Sequence, residues 1–330
     1  MGALYIDKKD SHVKMDGDAI AFYYSGKRDG LVPLKPLDRV YIVGNITLEA
    51  GVLHKLCEQN TQVIFLSGKQ LRFRGVLAPS LHKNGRLRLC QYRQMGGGFP
   101  IQFSNEIILR KLAAQGKFLD DLSGARPEHR HLLAPGASAI HCAETRLKEA
   151  PAEIESLRGI EGAAANAYFG AVTAVFPPSL KFSGRHRRPP PDPVNAMLSL
   201  SYTLLHWEMV REIQCIGLDP YLGFYHQFVY GRESLACDLI EPFRVEADRW
   251  VYEMFRMRTL TADHFTQGDE RPGCYLTKAG RRHFYEHFEA FRKQFGGSFR
   301  DEAQGLARRI LSLAGEDLNE EEGNEDAIFE

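Results

Sequence analysis

The chain has 330 residues, 44% of them apolar and 25% charged, which is ordinary globular composition and enough for two or three domains with a sizeable core. Lysine plus arginine and aspartate plus glutamate both number 42, so the formal net charge of zero does not announce a nucleic-acid binder. Eight of those acids fall between Glu316 and Glu330, where there is no lysine or arginine, and residues 1–315 therefore carry a net charge of +8. A moderately basic body with an acidic, solvated tail is compatible with a polyanionic partner without proving one. Six scattered cysteines form no C-x-x-C pair; this argues against structural zinc and for reduced thiols in the cytoplasm. The start MGALYIDKKD has no apolar signal core, and no run reaches the ~18 apolar residues of a membrane span.

In chain order, the first eighty residues read as a small, mostly-β domain. Short β-branched and aromatic runs occur at 3–7, 12–16, 19–24, 39–44, 61–68 and 69–77. The turn Asp16-Gly17-Asp18 marks a hairpin between the second and third. A single helix is expected over 48–59, with Leu48, Val52, Leu53 and Leu56 on one face. Residues 81–102 contain Asn84-Gly85 and Gly96-Gly97-Gly98-Phe99-Pro100 and read as a linker decorated with Lys83, Arg86, Arg88 and Arg93. From 103 to 315 the pattern is helical throughout. An amphipathic helix is expected at 105–122, and another runs from near Pro151 to just before Pro177-Pro178. A third is punctuated by Asp192 as N-cap, Pro193 at its first position and Gly217 as its stop. Its middle is apolar nearly all round, as in a buried central helix. Ser234 is the expected N-cap of a short helix, and a last helix covers about 279–296. The fold class expected is α+β: residues 1–80 mostly β, a linker at 81–102, an all-α catalytic domain at 103–315, and an acidic tail at 316–330.

Three helical-domain segments carry candidate chemistry. Glu161, in LRGIEGAAANAYFGAV, is followed by Gly162 and three alanines; such small neighbours let a helix or a phosphate backbone come close. His226 closes the apolar run GLDPYLGFYH, where a neutral imidazole is available as a ligand near neutral pH. Asp238 and Glu241, in ESLACDLIEPFR, are three apart and share one helical face. Together they offer two or three carboxylates and one imidazole, a donor set for Mg²⁺ or Mn²⁺. Each also has a bland reading: a solvated helix glutamate, a satisfied core histidine, and a wet acidic face neutralised by Arg244 or Arg249. Basic residues Lys181, Arg185, Arg187, Arg188, Arg211, Arg232 and Arg244 lie in the same domain. The densest run is the loop 185–193, where arginines suit phosphate contact.

These segments, together with RRPPPDPVNAMLSLSY (187–202), RVYIVGNITLEAGVLHKL (39–56) and VIFLSG (63–68), resemble the CRISPR-associated adaptation integrase, the large nuclease-integrase that inserts new spacers into CRISPR arrays. The resemblance covers about residues 1–310 in order. It implies an N-terminal β-domain that dimerises, a linker and an α-helical catalytic domain. It also implies a metal site using Mg²⁺ or Mn²⁺, double-stranded DNA as substrate, and assembly with the small ferredoxin-like partner protein of the adaptation complex. Carried over by motif, Glu161 and His226 are the first two ligands. Glu241 is favoured as the third, with Asp238 as the alternative. Asn195 and Tyr168 match recurrent polar positions near the site, implying DNA-contacting or supporting roles. The competing readings are a stand-alone structure-specific DNA endonuclease and a non-catalytic DNA-binding scaffold.

Overall fold

The computed structural model describes residues 2–77, 82, 84–186, 189–226, 228–268, 272–295 and 297–315. Arg187, Arg188, the tail 316–330 and part of the 81–102 stretch lie outside them.

The N-terminal strands form two four-stranded sheets. Strands β1 (Gly2–Ile6), β5 (Leu37–Val43), β7 (Gln62–Leu66) and β8 (Phe73–Leu77) stand in the order β1-β5-β7-β8, parallel except for the last pair. Strands β2 (His12–Asp16), β3 (Ala19–Tyr24), β4 (Lys27–Pro33) and β6 (Thr47–Leu48) form the other, in the order β4-β3-β2-β6. The hairpin at 16–19 closes with Asp16 opposite Ala19 and Gly17 at φ 60°. A positive φ at that first loop position suits the strand twist and favours glycine. Helix α1 (Ala50–Glu58) buries Val52 and Leu56 against Ile6, Val13, Ile20, Val40, Ile42 and Val63 from both sheets.

Strand β5 explains how this unit joins the rest. Its side chains alternate faces. Val40 and Ile42 point into the core under α1, whereas Tyr41 and Val43 belong to the large helical core. Both faces of that sheet are therefore covered, as its nearly unbroken apolar strands require. Tyr5 stacks between Tyr41 and Tyr285, with ring centroids 4.5 and 4.1 Å away. Arg39, only 1% exposed, reaches Glu208 and Glu289 of the helical region.

The helical region comprises α2 (Gly85–Arg93), α3 (Phe99–Ala125), α4 (Arg130–Glu149), α5 (Ile154–Thr173), α6 (Pro193–Ile216), α7 (Ser234–Ile240), α8 (Arg244–Arg256), α9 (Lys278–Lys293) and α10 (Ser298–Ala314). Helix α6 has the bounds its punctuation implies. The Asp192 side chain accepts from the Asn195 N–H at 2.8 Å, Pro193 opens the helix, and Gly217 closes it at φ 99°. Among the described residues no helix is long and apolar enough to cross a membrane.

Three expectations need correction. The 81–102 stretch is not a plain linker: it holds α2, which buries Leu87, Cys90 and Gln91, and the first turn of α3, where Pro100 needs no N–H partner. The helical region is not all-α, because β9 (Phe265–Gln267) and β10 (Cys274–Leu276) form an antiparallel ribbon. Ser234 is the first residue of α7 rather than its cap. Glu233 holds the cap position and makes no side-chain cap bond.

Candidate functional site

The loop 217–226 is held by a side chain that sequence reading did not single out. Gln91 of α2, fully buried, donates to the carbonyls of Asp219 and Leu222 at 3.0 Å and accepts from the Asp219 N–H at 2.8 Å. Gly223 passes so close to α7 that a Cβ would lie 2.6 Å from the Ser234 carbonyl carbon and 2.8 Å from Asp238 Oδ2. That close approach brings the backbone of 224–226 onto the Asp238 carboxylate.

Asp238 is completely buried. Its Oδ2 accepts from the N–H groups of Phe224 at 2.7 Å and Tyr225 at 3.0 Å, and its Oδ1 from the His226 N–H at 2.9 Å. The same Oδ1 lies 2.6 Å from His226 Nδ1. A carboxylate can only accept, so Nδ1 carries a proton, and in the neutral ring Nε2 keeps its lone pair. Asp238 is thus fully engaged in orienting the ring. The carboxylate–histidine arrangement is the one that fixes metal-binding imidazoles.

Glu241 follows α7 in a single tight turn (Glu241–Phe243) and faces elsewhere. Arg244 Nε stands 3.0 Å from its Oε1, and Lys111 Nζ of α3 stands 2.7 Å from its Oε2. Burial works against the charge of Glu241, but Arg244, Lys111 and His226 outweigh it and hold the carboxyl down at about 2. Both Glu241 Oε2 and Arg244 Nε are buried without a well-angled hydrogen bond despite those short ion contacts, so this carboxylate retains unused acceptor capacity. Glu161, on α5, also contacts Lys111 Nζ, and the Tyr225 hydroxyl stands 3.5 Å from its Oε2. Its side chain is 25% exposed. Cβ atoms added at Gly159, Gly162 or Gly170 would meet nothing within 4 Å, so α5 is open on the side away from Glu161, which shares its own side of the helix with the buried Leu157, Ala164 and Tyr168. The lysine ammonium is raised above its ordinary value: burial opposes its charge, while Glu241 and Glu161 favour it more.

The structure therefore brings Glu161 and Glu241 together on Lys111, with His226 near enough to Glu241 to act on its charge and Asp238 behind the histidine. Among the described residues no three histidine, cysteine, aspartate or glutamate side chains are disposed to hold an ion as they stand. The donor set nevertheless fits a hard cation: two carboxylates, one with unused lone pairs, and an imidazole with a bare Nε2. Lys111 and Gln91 were missed. The available signal for Lys111 was a charge on the stripe formed by Ile107, Ile108 and Leu112, all three buried.

The remaining expected residues are placed differently. Tyr168 is buried and donates to Asp248 Oδ2 at 2.9 Å. Asn195 is buried, accepting from the His186 N–H at 2.8 Å and from Arg185, and donating to the Gly184 carbonyl and Asp192. Burial closes these two side chains to direct DNA contact and makes them supports. Arg185 bonds Asn195 and Ser199 and lies over the Tyr202 ring. Arg185, Arg232 and Arg244 line a cavity of about 780 Å³ with Lys69 and Arg72 of the β-domain. Arg211 pairs with Glu212, and Arg249 with Asp121 rather than with the site.

The model of the family described as CRISPR associated protein Cas1 matches residues 4–290. The CRISPR-associated endonuclease Cas1 1 of Thermodesulfovibrio yellowstonii is 49% identical over 94% of this chain and 98% of its own length. A casposase bound to integration product superposes with a TM-score of 0.82 at 22% identity, over 95% of this chain and 91% of its own. A Cas6-RT-Cas1–Cas2 complex does so at 0.81 and 22%, over 94% of this chain and 35% of its own. At such identities the likeness is one of fold. The match over most of the chain, with the near full-length relative, establishes that the chain belongs to the Cas1 family of CRISPR-associated proteins.

Proposed function

We propose that this protein is a divalent-metal-dependent DNA endonuclease and integrase. Its reaction is transesterification, in which the 3′-hydroxyl of a short DNA fragment attacks a phosphodiester at the edge of a CRISPR repeat. The observation that carries this reading is the Asp238–His226 pair, which directs the ring and leaves Nε2 free in the neutral imidazole, next in the chain to Tyr225, whose hydroxyl reaches Glu161. The endonuclease name of the Thermodesulfovibrio relative and the integration product held by the casposase support the activity.

Glu161, Glu241 and His226 Nε2 are the groups that would hold Mg²⁺ or Mn²⁺, with Asp238 orienting the histidine. When bound, such an ion polarises a phosphodiester and stabilises negative charge on attacking and leaving oxygens. The chain's own contribution is positioning. Asp238 fixes the tautomer and direction of His226. Three backbone N–H groups donate to Asp238 and fix the direction of its carboxyl group. The arginine-lined cavity, which includes the Arg244 that contacts Glu241, offers cations to a strand beside the site. With water as nucleophile the same groups support hydrolysis. We further propose that the protein works as a homodimer through its N-terminal β-domain and with a small ferredoxin-like partner, in line with the Cas1–Cas2 assemblies among its structural neighbours.

The test is strand transfer. A labelled duplex with free 3′-hydroxyls and a supercoiled plasmid carrying a repeat are incubated with Mg²⁺ or Mn²⁺, with and without the partner. Metal-dependent joining that Glu161→Gln lowers by on the order of a hundredfold or more is expected. Joining that persists undiminished in Glu161→Gln overturns the site assignment. Metal-dependent nicking without joining leaves a stand-alone nuclease, and DNA binding without turnover in any metal leaves a scaffold.

A further inference from the structure

Lys111 sits on the buried side of α3 and is 7% exposed. A lysine in such surroundings is costly unless its charge is matched. Here two carboxylates match it, and they come from different parts of the fold, Glu161 from α5 and Glu241 from the turn after α7. Without a cation between them, those two anions would repel each other. The ammonium therefore performs, in the protein by itself, the electrostatic task assigned above to a divalent ion. It does so on the same two carboxylates that the ion would use, which sets the ammonium and the divalent cation close together. At separations of a few Å they repel strongly in a partly buried site.

We propose that Lys111 is a built-in counter-cation of the carboxylate pair, a positioning residue that holds Glu161 and Glu241 together without metal and against which a divalent ion must compete to bind. This rests on the metal reading of the site. Its consequence is a site assembled in advance but tuned to weak metal affinity. Metal is then retained best when an anionic DNA phosphate adds its own charge. A lysine with a purely structural role would stabilise the fold without restraining metal binding.

The experiment uses the 330-residue protein and its Lys111→Met variant, which keeps the side chain as far as Cε and removes its charge. Two quantities are read: the thermal midpoint in chelator, and the Mn²⁺ dissociation constant by titration without DNA. In chelator the variant is expected to melt several degrees lower, because a buried and a partly buried carboxylate lose their shared partner. Its Mn²⁺ affinity is expected to rise by on the order of tenfold or more, because a competing positive charge has gone. Mn²⁺ should consequently raise the variant's midpoint more than the wild-type one. A lower midpoint with equal or weaker Mn²⁺ binding overturns the proposal and leaves Lys111 as a structural ion-pair residue. An unchanged midpoint in chelator overturns it as well, since the lysine then holds nothing together. If neither protein binds Mn²⁺, the metal reading itself falls. A midpoint loss relieved in the double variant Lys111→Met/Glu161→Gln would then assign Lys111 to the ion pair alone. Lys111→Gln, which can still hydrogen-bond both carboxylates, serves the same comparison if the methionine variant does not fold.

Discussion

Replacing Asp238 by asparagine removes one of the two oxygens on which the site's fixed half depends. In the wild-type protein Oδ2 takes the N–H groups of Phe224 and Tyr225, and Oδ1 takes the N–H and the ring Nδ1 of His226. Asparagine has one carbonyl oxygen and so serves only two of these four donors; its amide nitrogen faces the other two. A buried donor left without an acceptor costs about 1–3 kcal/mol, so the substitution should destabilise the protein by about 2–6 kcal/mol. That is a large part of the ~5–15 kcal/mol typical of folded proteins, so the urea midpoint should fall clearly. The amide nitrogen can instead donate to His226 Nδ1, which moves the ring proton to Nε2 and removes the lone pair proposed for the metal. Either way the imidazole loses its charged anchor, and metal affinity should fall about 10–100-fold. Urea denaturation followed by tryptophan fluorescence measures the first effect and Mn²⁺ titration the second. A variant that unfolds at the wild-type urea concentration and binds Mn²⁺ equally well would show that Asp238 does not hold the histidine.

Two further predictions concern the surrounding core. Burial raises Asp248 to about 6 from 3.8, although the hydroxyls of Tyr202 and Tyr168 pull the other way. Because the folded value is the higher one, the protonated acid's contribution is complete below pH 3.8 and is lost as pH rises through about 6. Asp248→Asn cannot ionise, so its stability relative to wild type should improve by about 3 kcal/mol between about pH 4 and about pH 7.5. Denaturation curves at both ends check this, and a relative loss with rising pH contradicts it. At the α4–α5 crossing, a Cβ on Gly136 would lie 2.5 Å from Ala171 Cβ and 2.9 Å from the Ala167 carbonyl oxygen, whereas one on Gly159 meets nothing within 4 Å. Gly136→Ala should therefore cost about 1–3 kcal/mol, and Gly159→Ala should gain about 0.5–1 kcal/mol from helix propensity. The two denaturation midpoints should move in opposite directions.

The legibility of the fold followed the strength of local signals. Helix α6 was readable to the residue at both ends because Asp192, Pro193 and Gly217 each act through local backbone chemistry. The hairpin at Gly17 was readable for the same reason. Helix α4 went unread because Pro135 interrupts its pattern and because Gly136 and Ala137 make up part of its buried face, so its apolar stripe is faint. Helix α2 was hidden by its arginines and by the three-glycine break after it. At the site, the segments bearing Glu161, His226 and Asp238/Glu241 stood out, but the division of labour within the last pair did not. Spacing of three places both carboxylates on one helical face only if the helix continues. Here it tightens at Glu241, and the partners that separate the two roles lie far away in sequence: the 224–226 backbone for Asp238, and Lys111 for Glu241. Tyr168 and Asn195 show the converse. Polar residues near a site in sequence are here consumed by Asp248 and by the 184–186 loop.

The two halves of the site are held by different physics, and this bears on how it can work. Around His226 every partner is a directional hydrogen bond, the acceptor is fully buried, and the backbone that donates to it is pinned by Gln91 and by the close passage of Gly223. Moving that half requires breaking several bonds at once. Around Glu161 and Glu241 the partners are ion contacts through one lysine and one arginine, with a single long bond from the Tyr225 hydroxyl, and two of the atoms involved lack well-angled hydrogen bonds. Ion contacts tolerate displacement better than directional bonds, and the Glu161 side chain, 25% exposed, has room to move. Adjustment on loading a cation or a phosphate should therefore fall on the glutamates and Lys111, while the imidazole stays in place as the fixed reference.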